Sequence, residues 1–175
     1  MRIVRAAIAA TAALALAGCG GGTEGTATPA TQSQTMDDLL DPCTDVPDEW
    51  LVETGLDPST ERNIVNPSEI SSWRVCGWNA DGGPYRTDLM SSSKTLEQTR
   101  ANKTIVILGD TSVGGRPALI NRNASDTAGE NCYVNFSAAQ GMFSVVVRWL
   151  GDTPPQDLCA LAVEHATDLE RHLPK

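Results

Sequence analysis

The chain has 175 residues, with 13 Lys and Arg against 22 Asp and Glu, a formal net charge of −9. Nucleic acid and anionic lipid headgroups repel so acidic a surface, and no basic stripe or basic–aromatic interleaving offsets it, so no nucleic-acid partner is expected. Two histidines and five cysteines leave few groups for metal or nucleophilic chemistry.

The N-terminus reads as a targeting segment over residues 1–18. Arg2 and Arg5 form a positive n-region, and Ala6–Ala17 is an uncharged run of Ala, Ile, Leu and one Thr, with the small residue Gly18 before a cut. Twelve helical residues reach only ~18 Å, short of a ~30 Å hydrocarbon core, so a permanent membrane span is the weaker reading. Leu16-Ala17-Gly18-Cys19 resembles the bacterial lipobox. The resemblance implies that Cys19 takes a diacylglycerol and becomes the mature N-terminus. More than one acyl chain holds stably at a bilayer. The expected location is therefore the cell membrane, lipid-anchored on its extracytoplasmic face. Cleavage removes Arg2 and Arg5 but no acid, taking the formal charge from −9 to −11.

Residues 19–35 carry the lipid site and a Gly/Thr/Ser/Gln tether, "GGGTEGTATPATQSQT", without the apolar side chains needed to order it. As a coil it spans roughly 20–25 Å. One globular domain follows over residues 36–175.

In that domain "DPCTDVPDEWLVETGL" predicts one short helix, with Asp45 as cap, Pro47 in the first turn, Trp50 and Leu51 buried, and Gly55 at the end. "SSWRVCGWNA" alternates, placing Cys76, Trp78 and Ala80 on one strand face. "DGGP" turns the chain into a return strand, "YRTDLMSS". "TLEQTRAN" is a helix or turn before the strand "KTIVILG". Gly114 and Gly115 then lead into a strand over about Pro117–Arg122. The clearest signal is the hairpin "NCYVNFSAAQGMFSVVVRWL". Cys132, Val134 and Phe136 share a face, Gln140-Gly141 turn the chain, and Phe143, Val145, Val147 and Trp149 share the next face. A final helix opens with a Thr153–Gln156 capping box, packs through Cys159, Ala162, Val163, Ala166, Leu169 and Leu173, and ends at Pro174. The fold class is α+β: an antiparallel sheet of five or six strands with an N-terminal and a C-terminal helix packed on it.

In an exported chain Cys43, Cys76, Cys132 and Cys159 read as two disulfides. Two of them open strands and two sit near helix starts, a layout that favours Cys76–Cys132 and Cys43–Cys159 over the other pairings. No two cysteines form a C-x-x-C pair, and His165 and His172 are seven apart, not four, so no metal is expected. No nucleophile elbow is present, and no cofactor or catalytic residue is assigned. His165 reads as an exposed or half-buried packing residue. Gly114-Gly115 reads as a turn, without the Lys-Ser/Thr of a phosphate cradle. Asn102-Lys103-Thr104 and Asn123-Ala124-Ser125 match the glycosylation acceptor by chance. Among Trp50, Trp73, Trp78 and Trp149, Trp73 is the one to watch for recognition: it lies on the strand face opposite Cys76 and Trp78, with rim packing as the competing reading.

In order along the chain, "DPC", "CGW", "VGGRPA", "NCYV" and "DLCALAVEHA" resemble an actinobacterial family of envelope lipoproteins, domain of unknown function 3558. The likeness covers about Asp41 to Pro174. It implies an extracytoplasmic lipoprotein in which Cys19 is the lipid site and the other four cysteines are structural. It implies no catalytic residue. The sequence reading is thus a non-enzymatic binding or accessory module of the envelope, with the membrane and an envelope protein or lipid as partners. The alternatives are a lipid or small-molecule carrier with an apolar pocket, and an enzyme of unrecognised type.

Overall fold

A computed structural model describes residues 38–64, 72–155 and 157–175, all within one compact unit. The signal segment, Cys19 and the tether lie outside the described residues. Seven strands form one sheet: β1 (Arg62–Asn63), β2 (Trp73–Asn79), β3 (Tyr85–Ser92), β4 (Ile105–Val113), β5 (Arg116–Asn123), β6 (Asn131–Ala138) and β7 (Gly141–Trp149). Their order is β1-β2-β3-β7-β6-β5-β4, and every neighbouring pair is antiparallel. The strand beyond the expected five or six is β1, whose two residues are too few to show alternation. The hairpin turn between β6 and β7 is Ala139-Gln140, one residue earlier than the Gln-Gly reading, because Ala138 pairs with Gly141.

The period-2 pattern does its expected work. Register carries Cys76 across to Leu89, then Val145, Val134 and Ile120, so one row of apolar side chains crosses five strands on a single face. Helix α4 (Leu158–Glu170) lies on that face. Its Ala162 and Ala166 are fully buried, and their small side chains let the helix axis approach β6 and β7 closely.

Helix boundaries differ from the sequence reading at both ends of the domain. The expected single N-terminal helix is two: α1 (Pro42–Asp45), capped by the Asp41 carboxylate on the Cys43 N–H at 3.1 Å, and α2 (Asp48–Glu53). Pro47 is in extended conformation at the start of α2, and its ring rejects a helical preceding residue, which breaks the run. A short α3 (Leu96–Ala101) carries a complete capping box between Thr95 and Gln98. The cap of α4 is Asp157, which accepts from the Ala160 N–H at 3.0 Å, rather than Thr153, so the two prolines precede the helix.

The cysteines form two disulfides, but with different partners from those favoured above. Cys43 bonds Cys76 and Cys132 bonds Cys159, each with Cα atoms 5.2 Å apart. The expected Cys76–Cys132 bond is excluded by topology. Those residues lie on β2 and β6, with β3 and β7 between them, about 14 Å at sheet spacing. Each real bond instead joins the first turn of a helix to the inward face of a strand. Closing loops of 33 and 27 residues, they stabilise the fold by about 3.5 kcal/mol each on the chain-entropy account.

The other end of α4 is held by charge. Arg116, at the head of β5, is 8% exposed and pairs with Glu170, 4% exposed, at 2.6 Å. Its remaining N–H groups donate to Leu173 O at 3.0 Å and Pro174 O at 2.8 Å, satisfying carbonyls beyond the helix end. The Gly114-Gly115 turn serves this contact. Both residues have positive φ, as a two-residue hairpin turn requires, and a methyl on Gly114 would sit 1.7 Å from the Glu170 carboxylate. The turn reading of this pair therefore holds.

Two outcomes are expected. Non-reducing peptide mapping should recover Cys43 linked to Cys76 and Cys132 linked to Cys159, with no Cys76–Cys132 peptide. Arg116→Ala should cost about 2–3 kcal/mol in urea unfolding, because buried Glu170 keeps only Lys175 as a partner and the Leu173 and Pro174 carbonyls lose their donor.

Candidate functional site

Trp73 opens β2 on the face of the sheet away from Cys76 and Trp78, as its place in the alternation requires. It pairs with Ser92, the last residue of β3. The Ser92 hydroxyl donates to Ser72 O at 2.7 Å and accepts from the Lys94 N–H at 3.0 Å, tying the start of β2 to the entry of α3. The same corner packs tightly on the next strand. A methyl on Gly141 would lie 2.5 Å from Ser92 O and 2.6 Å from Lys94 O. Helix α3 is fixed over the sheet by the Thr99 hydroxyl, 3.4 Å from the Met142 sulfur.

These constraints form a cleft of about 340 Å³ lined by Trp73, Lys94, Gln98, Thr99 and Asn102. Gln98 lies within α3, Lys94 just before its N-cap and Asn102 at its C-cap, so the helix and its two ends together form this wall. Their hydrogen bonds fix what they offer. Gln98 Oε1 accepts the Thr95 N–H at 3.0 Å, and Asn102 Oδ1 accepts the Thr104 N–H at 2.9 Å. A backbone N–H only donates, so each amide oxygen points inward and each NH₂ is left unengaged. Lys94 Nζ makes no hydrogen bond or ion pair among the described residues. The cleft thus offers an indole and three nitrogen donors. Of its residues, sequence reasoning singled out Trp73. The donors at and beside α3 were missed, because only the packing of this segment on the sheet brings them to Trp73.

A second cleft, about 380 Å³, lies beside the Cys132–Cys159 disulfide. Leu108, Arg122, Pro154, Pro155 and Leu158 are among its walls. Leu108 is pushed outward by a register shift between Ile107 and Gly109.

The remaining polar clusters are structural. Asp88, fully buried, accepts from Arg86 Nε at 2.7 Å and Arg148 Nε at 2.5 Å. The sulfurs of the cluster Cys43, Glu61 and Cys76 are joined to each other and hold no thiolate for a metal. His172 is stacked on Trp50. His165 is not exposed or half-buried as expected: it is 3% exposed, with Nε2 3.1 Å from the Tyr85 hydroxyl. Burial, and secondarily Glu164, raises the Tyr85 pKa. Burial pushes the His165 imidazole down, against the opposing pull of Glu164 and Asp168.

Comparison with protein families settles the kinship of the chain. It matches the family described as "Protein of unknown function (DUF3558)" over residues 14–172. It belongs to that family. No curated protein and no solved structure matches it. The five motifs quoted above fall on the scaffold of this DUF3558 chain: the Asp41 cap and Cys43, Cys76 and Trp78, the Gly114–Arg116 turn, Cys132, and the start of α4. The Trp73 cleft uses none of them.

The buried imidazole gives a pH dependence with a definite sign. Its folded pKa lies below the unfolded value near 6.5, so its stabilising contribution is complete above about pH 6.5. That contribution declines as pH falls from there toward the lowered folded value. Thermal melts between pH 7.5 and 5 should show the midpoint dropping below pH 6.5, and His165→Gln should flatten that slope.

Proposed function

We propose that this DUF3558 protein is a lipoprotein anchored through Cys19 to the extracytoplasmic face of the cell membrane, where its domain acts as a non-catalytic binding module. The anchoring half of this reading is supported by the lipobox at the end of a short apolar run, which the family match from residue 14 includes. The two disulfides fit an oxidising compartment. No helix among the described residues is long and apolar enough to cross a membrane.

The observation that carries the binding half is the Trp73 cleft. An aromatic wall with three unengaged donors holds and orients a ligand, whereas Lys94 is the one titratable group of its lining and has no imidazole, carboxylate or thiol beside it in that lining for acid–base or nucleophilic chemistry. An apolar carrier would need a chamber between the sheet and α4. Val134, Val145, Val147, Ala162, Ala166 and Leu169 occupy that space and are all buried to within 1%.

Expression of Cys19→Ala in the native host tests the anchor. The wild type should fractionate with membranes and carry a lipid mass on its mature N-terminal peptide. The variant should appear in the medium or remain at precursor size. A variant retained on membranes at mature size would sink the lipobox reading.

A further inference from the structure

We infer that the cleft between Trp73 and α3 is a saccharide-binding site; this names the ligand class of the binding module proposed above. Its chemistry matches a sugar ring on two counts. A pyranose presents a face of C–H groups, which packs against the flat apolar face of an aromatic side chain, and an edge of hydroxyls, each with lone pairs to accept a hydrogen bond. Trp73 supplies the aromatic wall, and Gln98, Asn102 and Lys94 of the same lining supply nitrogen donors. The volume, about 340 Å³, is at the low end of the ~300–1,000 Å³ typical of small-ligand sites, room for one or two rings.

The lining argues against other ligands. An acyl chain needs aliphatic walls, and the cleft has no Leu, Ile or Val. A phosphate ester is held by Arg forks or by a nest of backbone N–H groups, and the lining contains no Arg. The three unengaged groups all donate, so the ligand must accept. Hydroxyl, ring and acetamido oxygens do so, and a sugar carboxylate would add an ion pair with the exposed Lys94.

Two of the donors are also held in place. The Gln98 side chain is fixed by the capping box and that of Asn102 by its two bonds to Thr104, whereas Lys94 is tied only through its backbone N–H to Ser92 and its exposed side chain swings freely. Few rotamers of the two amides are lost when the ligand arrives, which lowers the entropic cost of binding.

The test is a titration of full-length protein in detergent, followed by tryptophan fluorescence and saturation-transfer NMR. The probes are maltotriose, an N-acetylglucosamine trimer and a galacturonic acid trimer. At least one should bind, with its C–H protons closest to the protein. Trp73→Ala should weaken that binding at least about tenfold, and Trp73→Phe should recover part of it. Gln98→Glu with Asn102→Asp keeps both oxygens that hold α3 but replaces both donors by acceptors. This variant should melt like the wild type and bind at least about tenfold more weakly. Lys94→Ala should weaken the acidic trimer more than the neutral ones. No binding to any trimer, or binding unchanged in a folded Trp73→Ala protein, overturns the saccharide site. The binding-module reading falls separately, if native mass spectrometry of protein released from its own envelope finds neither a ligand nor a protein partner.

Discussion

The position of α4 is the constraint on which the rest of the fold depends. The helix covers the inward face of the sheet and is fastened at both ends by different physics. At its start, the bond from Cys159 to Cys132 shortens the unfolded chain's loops. At its end, Arg116 pairs with Glu170 and satisfies the carbonyls of Leu173 and Pro174. The carboxylate illustrates how burial and partners compete. Burial alone would raise the Glu170 pKa, but the Lys175 and Arg116 contacts outweigh it and hold the group below its usual range. Gly114 leaves the space that this carboxylate occupies.

The N-terminal segment repeats the device on a smaller scale. Asp41 caps a first turn whose Cys43 is bonded to the inward face of β2. A modestly apolar domain is thereby closed at two places, and the sheet face away from α4 is left to carry polar chemistry. On that face Asp88 is already matched between Arg86 and Arg148. Lys94 is not. Its exposed ammonium has no ion-pair partner among the described residues and lies in the lining of the Trp73 cleft.

The separation between scaffold and site explains why kinship and function come apart here. Membership of the DUF3558 family rests on a match over residues 14–172, and the motifs that resemble the family lie on caps, disulfides and the Gly114–Arg116 turn. Such residues define how the domain closes. Trp73, Lys94, Gln98 and Asn102 lie between them, outside the two disulfides, the Asp41 cap and the Gly114–Arg116 turn that close the domain. A shared fold is therefore compatible with different ligands among its members.

The sequence by itself determined the longer strands but not the two-residue β1, because alternation places Cys132, Val134 and Phe136 on one face whatever else the chain does. It determined the β6–β7 hairpin to within one residue, the packing face of the last helix, and the presence of four cysteines suited to two bonds. These are local or periodic properties, written in neighbouring residues. Only the tertiary structure decided which cysteines meet, because that depends on β3 and β7 lying between β2 and β6, and strand order is not periodic. It also decided that His165 is buried against Tyr85, that Arg116 reaches Glu170 across 54 positions of the chain, and that Trp73 faces α3. Contacts between residues far apart in sequence leave no mark on their neighbours, so they become visible only when the sheet brings them together.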